Sequence, residues 1–467
     1  MRLPLGAPRH IRVQLSRRFA WRLRAAPLRR PLLLVAGFAL LIAIGTLALL
    51  LPFSARNTHS DPLTALFTAT SAVCVTGMVV VDTGTYWSPF GQVVIAALMQ
   101  VGGLGFMIGV TALRALFGRR PNLRERLVLQ ETGAITGLAG GRALILQTVA
   151  LALACETIGA LILWIRLTPR YGVGEGLWFA IFHAVSAFTN GSFDLFGSFR
   201  SLSDYQHDPA LLLTIAALIA LGGLSVVTML DLARVRGWRR LTLDSKVVLL
   251  GTAILLVGGT ALLLLTESGN DASFGTLPLV DRVVNALFHA TASRTAGFAT
   301  WDLARADERS LFFLLGLMFL GGAPGSMAGG IKLTTVAVLI AAVMSTLRGQ
   351  PDATLLKRRI AGPQVGQALA VTLLAFLLIV NVALAISLIE GRRLGIPFLH
   401  VLFDVTSAFG TVGFSTGLPP QAHAATKLLL VAMMFVGRLG PVTVALALTA
   451  RRSDERYRLP VEPMRIG

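Results

Sequence analysis

Long apolar stretches constrain this chain more than any other feature. Each is long enough to cross a hydrocarbon core ~30 Å thick as an α-helix of ~20 residues. Hydrophobic residues make up 54% of the chain and charged residues only 14%, against about 25% charged in soluble domains. The sequence therefore predicts an all-α polytopic membrane protein with eight spans. The stretches are 31–53, 90–117, 143–165, 209–230, 247–266, 310–346, 366–389 and 427–450.

The net charge of +19 is concentrated in clusters that recur after every second apolar stretch. This is the positive-inside pattern, and it predicts that both termini are cytoplasmic. It also explains the basic charge without a nucleic-acid partner. Cys74 and Cys155 lie in apolar segments, so neither a disulfide framework nor a zinc site is expected. The basic clusters lie within 2–30, 119–126, 234–246, 348–359 and 451–458.

The opposite loops are poorer in cations. We expect them to present a mildly acidic surface to a cation that approaches from outside. Their acidic residues are Asp61, Asp82, Asp194, Asp204, Asp208 and Asp271.

An eight-residue phrase occurs four times: SAVCVTGM (71–78), SAFTNGSF (186–193), TASRTAGF (291–298) and SAFGTVGF (407–414). Each copy follows a short segment that begins at a leading phenylalanine, and each is followed by an apolar run with paired glycines. Two landmarks in register over four copies indicate an internal repeat. The phenylalanines are Phe67, Phe182, Phe288 and Phe403, and the glycines are Gly102-Gly103, Gly222-Gly223, Gly321-Gly322, and Gly437 with Gly440.

The repeating unit reads as long helix, short helix, turn and long helix. The short helices are below the ~20 residues needed to span, so each must enter and leave on the outer side. Irregular backbone at membrane depth is tolerated only where it lines an enclosed or water-filled space. Four such turns around one axis predict rings of backbone carbonyls that replace the hydration shell of an alkali cation. The competing interpretation is that the small residues only permit tight packing.

We name the fifth to seventh residues of each phrase the turn segments. They are the predicted selectivity filter and K⁺ site, and register over four copies favours that role over packing alone. The residues are Val75, Thr76, Gly77, Asn190, Gly191, Ser192, Thr295, Ala296, Gly297, Thr411, Val412 and Gly413.

These motifs resemble the Trk/Ktr/HKT superfamily of potassium transporters, most closely the Ktr membrane subunit, over residues 31–467. The resemblance implies four concatenated helix–pore-loop–helix repeats and potassium uptake at the cell membrane. It also implies a homodimer that rests on a cytoplasmic ring of nucleotide-binding regulatory subunits, so a nucleotide acts only through that partner. The motifs are residues 70–92, LMQVGGLGFM (98–107), ASRTAGF (292–298), LGGAPGSMAGGIKLTT (320–335), FGTVGFSTGL (409–418) and VGRLGPVT (436–443).

The predicted organisation has an arginine-rich N-terminus, four repeats and a cytoplasmic C-terminus. The boundaries are 1–30, 31–120, 121–240, 241–350, 351–450 and 451–467.

The second copy departs from the family pattern, because Ser192 stands at the seventh position and Gly191 one place earlier. In one interpretation Ser192 occupies the filter position and weakens discrimination of K⁺ from Na⁺. In the other, Gly191 supplies the flexibility. A mixed Na⁺/K⁺ pathway is therefore an alternative to a potassium pore. A second alternative is an alternating-access cation symporter that binds its substrate at broken helices, although four re-entrant turns on the outer side favour a pore.

Residues 321–331, which we name the inner loop, interrupt an apolar stretch with helix-breaking glycine and proline. They predict a gate below the filter, in which the intramembrane Arg438 and Lys332 take part; a simple kink is the alternative. The predicted gate residues are Gly321, Gly322, Pro324, Gly325, Gly329, Gly330, Lys332 and Arg438.

Other polar residues in apolar segments receive structural interpretations. Gln100 and Glu156 are each expected to make hydrogen bonds between helices, and Asp404 to complement a helix N-terminus. His183 and His289 are assigned no chemistry. The sequence has no HExxH, P-loop or GxSxG motif and no pair of intramembrane aspartates, so we expect a protein that is not an enzyme.

Overall fold

The computed structural model describes residues 29–56, 59–117, 138–235 and 237–440. Nearly all of the predicted N-terminal segment 1–30 lies outside the described residues. The same is true of the basic cluster at 119–126 and of the chain from 441 to 467, which includes the predicted cytoplasmic C-terminus.

The described chain is mostly α-helical. In the first half, the helices are α1 (Arg29–Leu49), α2 (Pro62–Val73), α3 (Thr83–Tyr86), α4 (Pro89–Phe117), α5 (Leu138–Thr189), α6 (Pro209–Gly223), α7 (Val226–Arg234) and α8 (Leu243–Glu267). In the second half, they are α9 (Leu279–Ala292), α10 (Glu308–Phe319), α11 (Leu333–Leu347), α12 (Gly362–Leu394), α13 (Phe398–Gly410), α14 (Leu418–Gln421) and α15 (Ala424–Leu439). A small antiparallel hairpin pairs β1 (Thr354–Leu355) with β2 (Arg358–Arg359).

Three helices in the described ranges are long and apolar enough to cross a membrane. They are Ile145–Thr189, Leu243–Glu267 and Gly362–Gly391. Helices α6 and α7 together pass the same test but bend by 100° at their break. Residues 209–230 thus differ from the single continuous helix expected from their hydropathy. The remaining apolar helices are shorter.

Helix α5 contains two predicted elements in one run. Gly172 adopts φ 77° and ψ 175° three residues after Pro169, a conformation that only glycine adopts readily. The kink separates the long helix from residues 173–189, which contain Phe182, so the short helix of the second copy is the C-terminal part of α5.

The short helices pack inside the fold, between longer ones. Helix α2 contacts α1 and α4, α9 contacts α8 and α6, and α13 contacts α12 and α15. Every residue of α13 from Phe403 to Gly410 is buried. The C-terminal part of α13 therefore lies inside the protein, whereas the N-terminal part of α9 has exposed apolar side chains such as Leu279.

The paired-glycine landmark has a steric cause in three of the four copies. In each, a glycine of a long helix lies against the carbonyl of the third residue of the phrase, where any side chain would collide. A Cβ atom added to Gly102 would lie 2.1 Å from the Val73 oxygen, one added to Gly222 1.9 Å from that of Phe188, and one added to Gly437 1.8 Å from that of Phe409.

Candidate functional site

The turn segments of the four copies meet at one place, although 105 to 116 residues separate consecutive copies. A Cβ atom added to Gly77 would lie 2.1 Å from the Ser192 Cβ, and one added to Gly413 would lie 2.2 Å from the Thr76 carbonyl oxygen. The Gly297 amide donates to the Val412 carbonyl at 2.6 Å. Each of the four copies therefore contacts another copy directly.

The short helices end with a shared hydrogen-bond pattern. In all four copies the amide of the fifth residue of the phrase donates to the carbonyl of the second residue. In three copies the amide of the sixth residue also donates to the carbonyl of the first residue. This pair of bonds is the Schellman motif, which ends a helix with a residue in the left-handed region. The sixth-to-first bonds are Thr76 to Ser71 (2.8 Å), Gly191 to Ser186 (2.6 Å) and Val412 to Ser407 (2.9 Å).

The fifth residue is left-handed in the same three copies, with φ of 57° at Val75, 60° at Asn190 and 50° at Thr411. A β-branched residue in this region is a genuine outlier. Such strain persists where the surrounding structure enforces it, and it clusters at functional sites. The third copy has a different ending, because the Ala296 amide donates to Ala292 instead.

Ser192 occupies the place that glycine holds in the first and fourth copies. Its φ is 61°, beside 77° at Gly77 and 98° at Gly413, whereas Gly191 is not left-handed. The Ser192 hydroxyl donates to the Val412 carbonyl oxygen at 2.8 Å. The geometry therefore favours the interpretation in which Ser192, and not Gly191, takes the place of the filter glycine.

The turn segments offer neutral oxygens rather than charged ligands. The buried Thr76 and Thr411 hydroxyls and the neighbouring Ser71 hydroxyl have no hydrogen-bond partner among the described residues. Neutral oxygen ligands suit a hard cation. The sequence predicts rings of backbone carbonyls that are free to bind a cation. The Val412 carbonyl is an exception, because it already accepts hydrogen bonds from Ser192 and Gly297. The described residues hold no group of three His, Cys, Asp or Glu side chains that could bind a metal ion.

A bond between side chains links the second and third turn segments. The Asn190 amide and the Thr295 hydroxyl lie 2.7 Å apart. When the amide nitrogen faces the carbonyls of Ala187 and Ile219, the amide oxygen accepts from Thr295.

A cavity of about 610 Å³ opens on one side of the turn segments and is lined by residues of all four copies. Asp82, Asp194 and Asp302 contribute to its wall. Of the other expected acids, Asp204 and Asp208 are paired with arginines: Arg170 lies 2.6 Å from Asp204 and Arg166 lies 2.9 Å from Asp208. The wall also contains Arg200, and Asp302 lies 3.7 Å from Arg305, so arginines partly balance the acidic residues of the cavity.

The inner loop lies on the other side of the turn segments. Helix α10 ends at Phe319 and α11 begins at Leu333, so the apolar stretch is interrupted where the sequence predicts. A Cβ atom added to Gly329 would lie 2.0 Å from the Thr411 hydroxyl oxygen, and one added to Gly103 would lie 2.9 Å from the Met327 sulfur. The loop therefore contacts the fourth turn segment directly.

Backbone and side-chain bonds fix the inner loop to helices α6 and α15. The amides of Ala323 and Met327 donate to the carbonyls of Gly223 and Gly222 in α6, each at 3.1 Å. Arg438 of α15, which is 1% exposed, donates to the Met327 carbonyl and, at 3.4 Å, to a carbonyl of α4.

The predicted gate residue Lys332, which directly follows the inner loop in the chain, is also bonded to it. Its ammonium group donates to the Ala328 carbonyl at 2.5 Å and to the Gly329 carbonyl at 3.3 Å. The two intramembrane cations are thus both bonded to carbonyls of this loop, which satisfies backbone oxygens that the broken helix leaves free.

Sequence reasoning missed the role of three residues and misplaced one of them. Asp404 does not lie at a helix N-terminus: it is inside α13, and it accepts hydrogen bonds from residues beyond the turn segment. His183 and His289, for which the sequence suggests no chemistry, each accept a backbone amide beyond the turn segment in the second and third copies. The available signal was position, since each residue directly follows a leading phenylalanine.

The helix–helix hydrogen bonding expected of Gln100 and Glu156 is confirmed, and the structure shows that each is the other's partner. The Gln100 amide nitrogen lies 2.9 Å from both carboxylate oxygens of Glu156 and joins α4 to α5.

Residues 29–457 match the TrkH family, described as cation transport protein. The Ktr system potassium uptake protein B of Bacillus subtilis (strain 168) is 37% identical over 428 residues, which cover 91% of this chain and 95% of that protein. The potassium/sodium uptake protein NtpJ of Enterococcus hirae is 36% identical over 439 residues, which cover 93% and 96%.

A solved structure has the same fold. The crystal structure of the potassium transporter TrkH from Vibrio parahaemolyticus matches with a TM-score of 0.68 at 20% identity, over 94% of this chain and 87% of that one. The chain belongs to the TrkH family of cation transport proteins and has the fold of a helical membrane transporter.

Proposed function

We propose that this protein is the pore-forming subunit of a potassium-uptake system in the cell membrane. The observation that carries the proposal is the convergence of four turn segments, which place backbone and hydroxyl oxygens around one point. The names of its relatives, which include a potassium uptake protein, agree with this cargo.

The proposed architecture has four helix–pore-loop–helix repeats, at 31–120, 121–240, 241–350 and 351–450, around one pore. Its support is the common helix ending at the same phrase positions and the glycine contact shared by three copies. The basic clusters favour cytoplasmic termini, 1–30 and 451–467.

The proposed filter consists of the twelve residues of the turn segments. K⁺ is the cargo, and it exchanges its water for their oxygens on the way through. Each turn segment follows the C-terminal end of a short helix. The partial negative charge at these four ends favours a cation between them.

The proposed gate is the inner loop together with Lys332 and Arg438. The loop contacts the fourth turn segment and is bonded to α6 and α15. Passage of an ion below the filter requires the loop to move, and its glycines and Pro324 offer places for backbone rotation.

Regulation is proposed to come from a separate subunit. The Bacillus relative is named as part of a Ktr system, and this favours assembly with a cytoplasmic ring of nucleotide-binding subunits on a homodimer of this chain. A nucleotide then acts only through that partner, and lipid surrounds the apolar helices.

A mixed Na⁺/K⁺ pathway is the second candidate, and two observations favour it. Ser192 holds a glycine position and bonds to the Val412 carbonyl, which changes the oxygens available to an ion. The Enterococcus relative is named as a potassium/sodium uptake protein.

Cation flux through the purified chain in liposomes tests the proposal. Outward gradients of K⁺, Rb⁺ or Na⁺ are imposed, and flux is compared with that of protein-free liposomes. We expect K⁺ and Rb⁺ to pass faster than Na⁺. Equal Na⁺ flux supports the mixed pathway, and no flux of any cation with the regulatory subunit present contradicts both candidates.

A further inference from the structure

Three buried acceptor side chains occupy the same place in three copies. His183, His289 and Asp404 each directly follow a leading phenylalanine. Their exposed fractions are 1%, 0% and 0%. Each accepts a backbone hydrogen bond from the chain just beyond its own turn segment.

The hydrogen bond that Nδ1 of His183 makes determines that its other ring nitrogen, Nε2, is an acceptor. Nδ1 lies 2.7 Å from the Phe179 carbonyl oxygen, to which it donates its proton. Nε2 is then the acceptor for the Leu195 amide, at 3.3 Å. The ring stacks on Phe196 at 4.2 Å between centroids, so its orientation is fixed on both its edge and its face.

His289 makes the corresponding contact in the third copy. Its Nε2 lies 3.0 Å from the Thr300 amide nitrogen and 3.1 Å from the Thr300 hydroxyl oxygen. The ring is stacked between Trp301, at 3.4 Å, and Phe414, at 5.5 Å. Because Phe414 ends the fourth phrase, this side chain also touches a second copy.

Asp404 replaces the imidazole with a carboxylate in the fourth copy. One oxygen accepts from the Thr416 amide at 2.8 Å, and the other accepts from the Ser415 hydroxyl at 3.1 Å and the Leu418 amide at 3.3 Å. The corresponding residue of the first copy is Thr68, which is also buried.

The three contacts share one geometry. The bonded amides of Leu195, Thr300 and Thr416 lie 12, 11 and 12 residues after their acceptors. Each bond therefore ties the chain that leaves a turn segment to the short helix that leads into it. The turn is held at both ends, although its own residues make few side-chain bonds.

We propose that His183, His289 and Asp404 are positioning residues that hold the turn segments in the geometry that discriminates K⁺ from Na⁺. The inference rests on the proposed potassium function and adds residues outside the filter to it. A bound ion contacts only the oxygens of the turn segments, so these side chains act on it through the backbone. When the hydrogen bond to the backbone amide is lost, the chain that leaves the turn segment is free to move, and the turn-segment oxygens can then adapt to a smaller ion.

Matched amide substitutions at His289 test the inference. His289→Gln puts a carbonyl oxygen four bonds from Cα, as Nε2 is, whereas the oxygen of His289→Asn is one bond shorter and leaves the Thr300 amide without its acceptor. The K⁺/Na⁺ flux ratio is measured in liposomes for both variants. We expect the asparagine variant to lose about tenfold in that ratio, the equivalent of ~1.4 kcal/mol, and the glutamine variant to stay near the wild type.

Controls separate this role from general damage. His400, on the short helix α13, makes no hydrogen bond through its side chain among those found in the described ranges, and its Gln and Asn variants should match the wild type. His183→Gln and His183→Asn repeat the test in the second copy, so a folding failure at one position leaves the other decisive.

Equal K⁺/Na⁺ ratios in the glutamine and asparagine variants at both histidines overturn the inference. Such a result leaves the potassium function intact, since the wild type still transports. Failure of the proposed function has a different signature, namely no cation flux through the wild-type protein with its regulatory subunit.

Discussion

The hydroxyl of Ser192 donates to the carbonyl oxygen of Val412 at 2.8 Å. The residue that departs from the repeated phrase in the second copy is therefore bonded to the turn segment of the fourth. The same oxygen accepts from the Gly297 amide, so three copies meet at one carbonyl. A side chain in place of a glycine has made the four quarters of the site unequal.

Ser192→Gly is expected to raise the K⁺/Na⁺ flux ratio, because it removes one of the two donors on the Val412 carbonyl and frees that oxygen for the ion. Flux in liposomes measures the ratio. Ser198→Gly is the matched control, since Ser198 is also left-handed, with φ 57°, but lies outside the turn segments. An unchanged ratio in Ser192→Gly, or an equal rise in the control, contradicts the assignment.

Ser192→Gly and Ser192→Ala should differ in stability. A left-handed non-glycine residue costs about 1–2 kcal/mol, and a net hydrogen bond contributes about 0.5–1.5 kcal/mol. Glycine loses the bond and relieves the strain, so we expect a near-neutral change. Alanine loses the bond and keeps the strain, so it should be about 1 kcal/mol less stable. Thermal unfolding in detergent measures both, and equal midpoints would show that the strain is absent.

Gly222→Ala is expected to destabilise the fold by ~3 kcal/mol, at the upper end of overpacking effects. The added Cβ would lie 1.9 Å from the Phe188 carbonyl oxygen. That oxygen belongs to the backbone, so it cannot move aside as the end of a flexible side chain could. Gly258→Ala is the control: it lies in α8 with nothing within 4 Å of an added Cβ, and alanine there should stabilise by about 1 kcal/mol. Similar effects of the two substitutions on unfolding would contradict the close packing.

Arg438→Gln is expected to increase K⁺ flux in the absence of a regulatory partner. The substitution removes the guanidinium that donates to Met327 of the inner loop and to Gly102 of α4, so the loop is held less firmly. Arg309→Gln serves as a control, because that side chain is 76% exposed and pairs with Asp307. Flux that stays at the wild-type level in correctly folded Arg438→Gln protein rules against the inner loop as the barrier.

The Gln100–Glu156 pair should contribute to stability rather than transport. A double-mutant cycle with Gln100→Leu and Glu156→Leu is expected to give a coupling energy of ~0.6–2 kcal/mol, the range for polar contacts between membrane helices. Flux per folded molecule should not change. A coupling energy near zero would mean that the 2.9 Å contacts do not stabilise the fold.

The local features of the site could be predicted from the sequence because they repeat. The phrase marks where each short helix ends, and the glycine landmark marks where a long helix meets a carbonyl. Both are imposed by backbone sterics, which leave the same residue types in every copy. The helix break at 321–331 can also be predicted from the sequence, since glycine and proline interrupt helices.

The remaining features depend on tertiary contacts that no local pattern records. The 100° bend between α6 and α7 follows an apolar run that looks continuous. The different ending at Ala296 comes from its bond to Ala292, although its phrase resembles the others. The partners of His183 and Asp404 lie 12 residues away in sequence, and only the fold shows that they meet.

Anomalous diffraction from crystals grown in Rb⁺ tests the central claim most directly. The account predicts Rb⁺ density between the four turn segments, within coordination distance of oxygens from more than one copy. It also predicts that Na⁺ in the growth medium reduces this density less in Ser192→Gly protein than in the wild type. Rb⁺ bound elsewhere in the molecule, with none between the turn segments, would contradict the account.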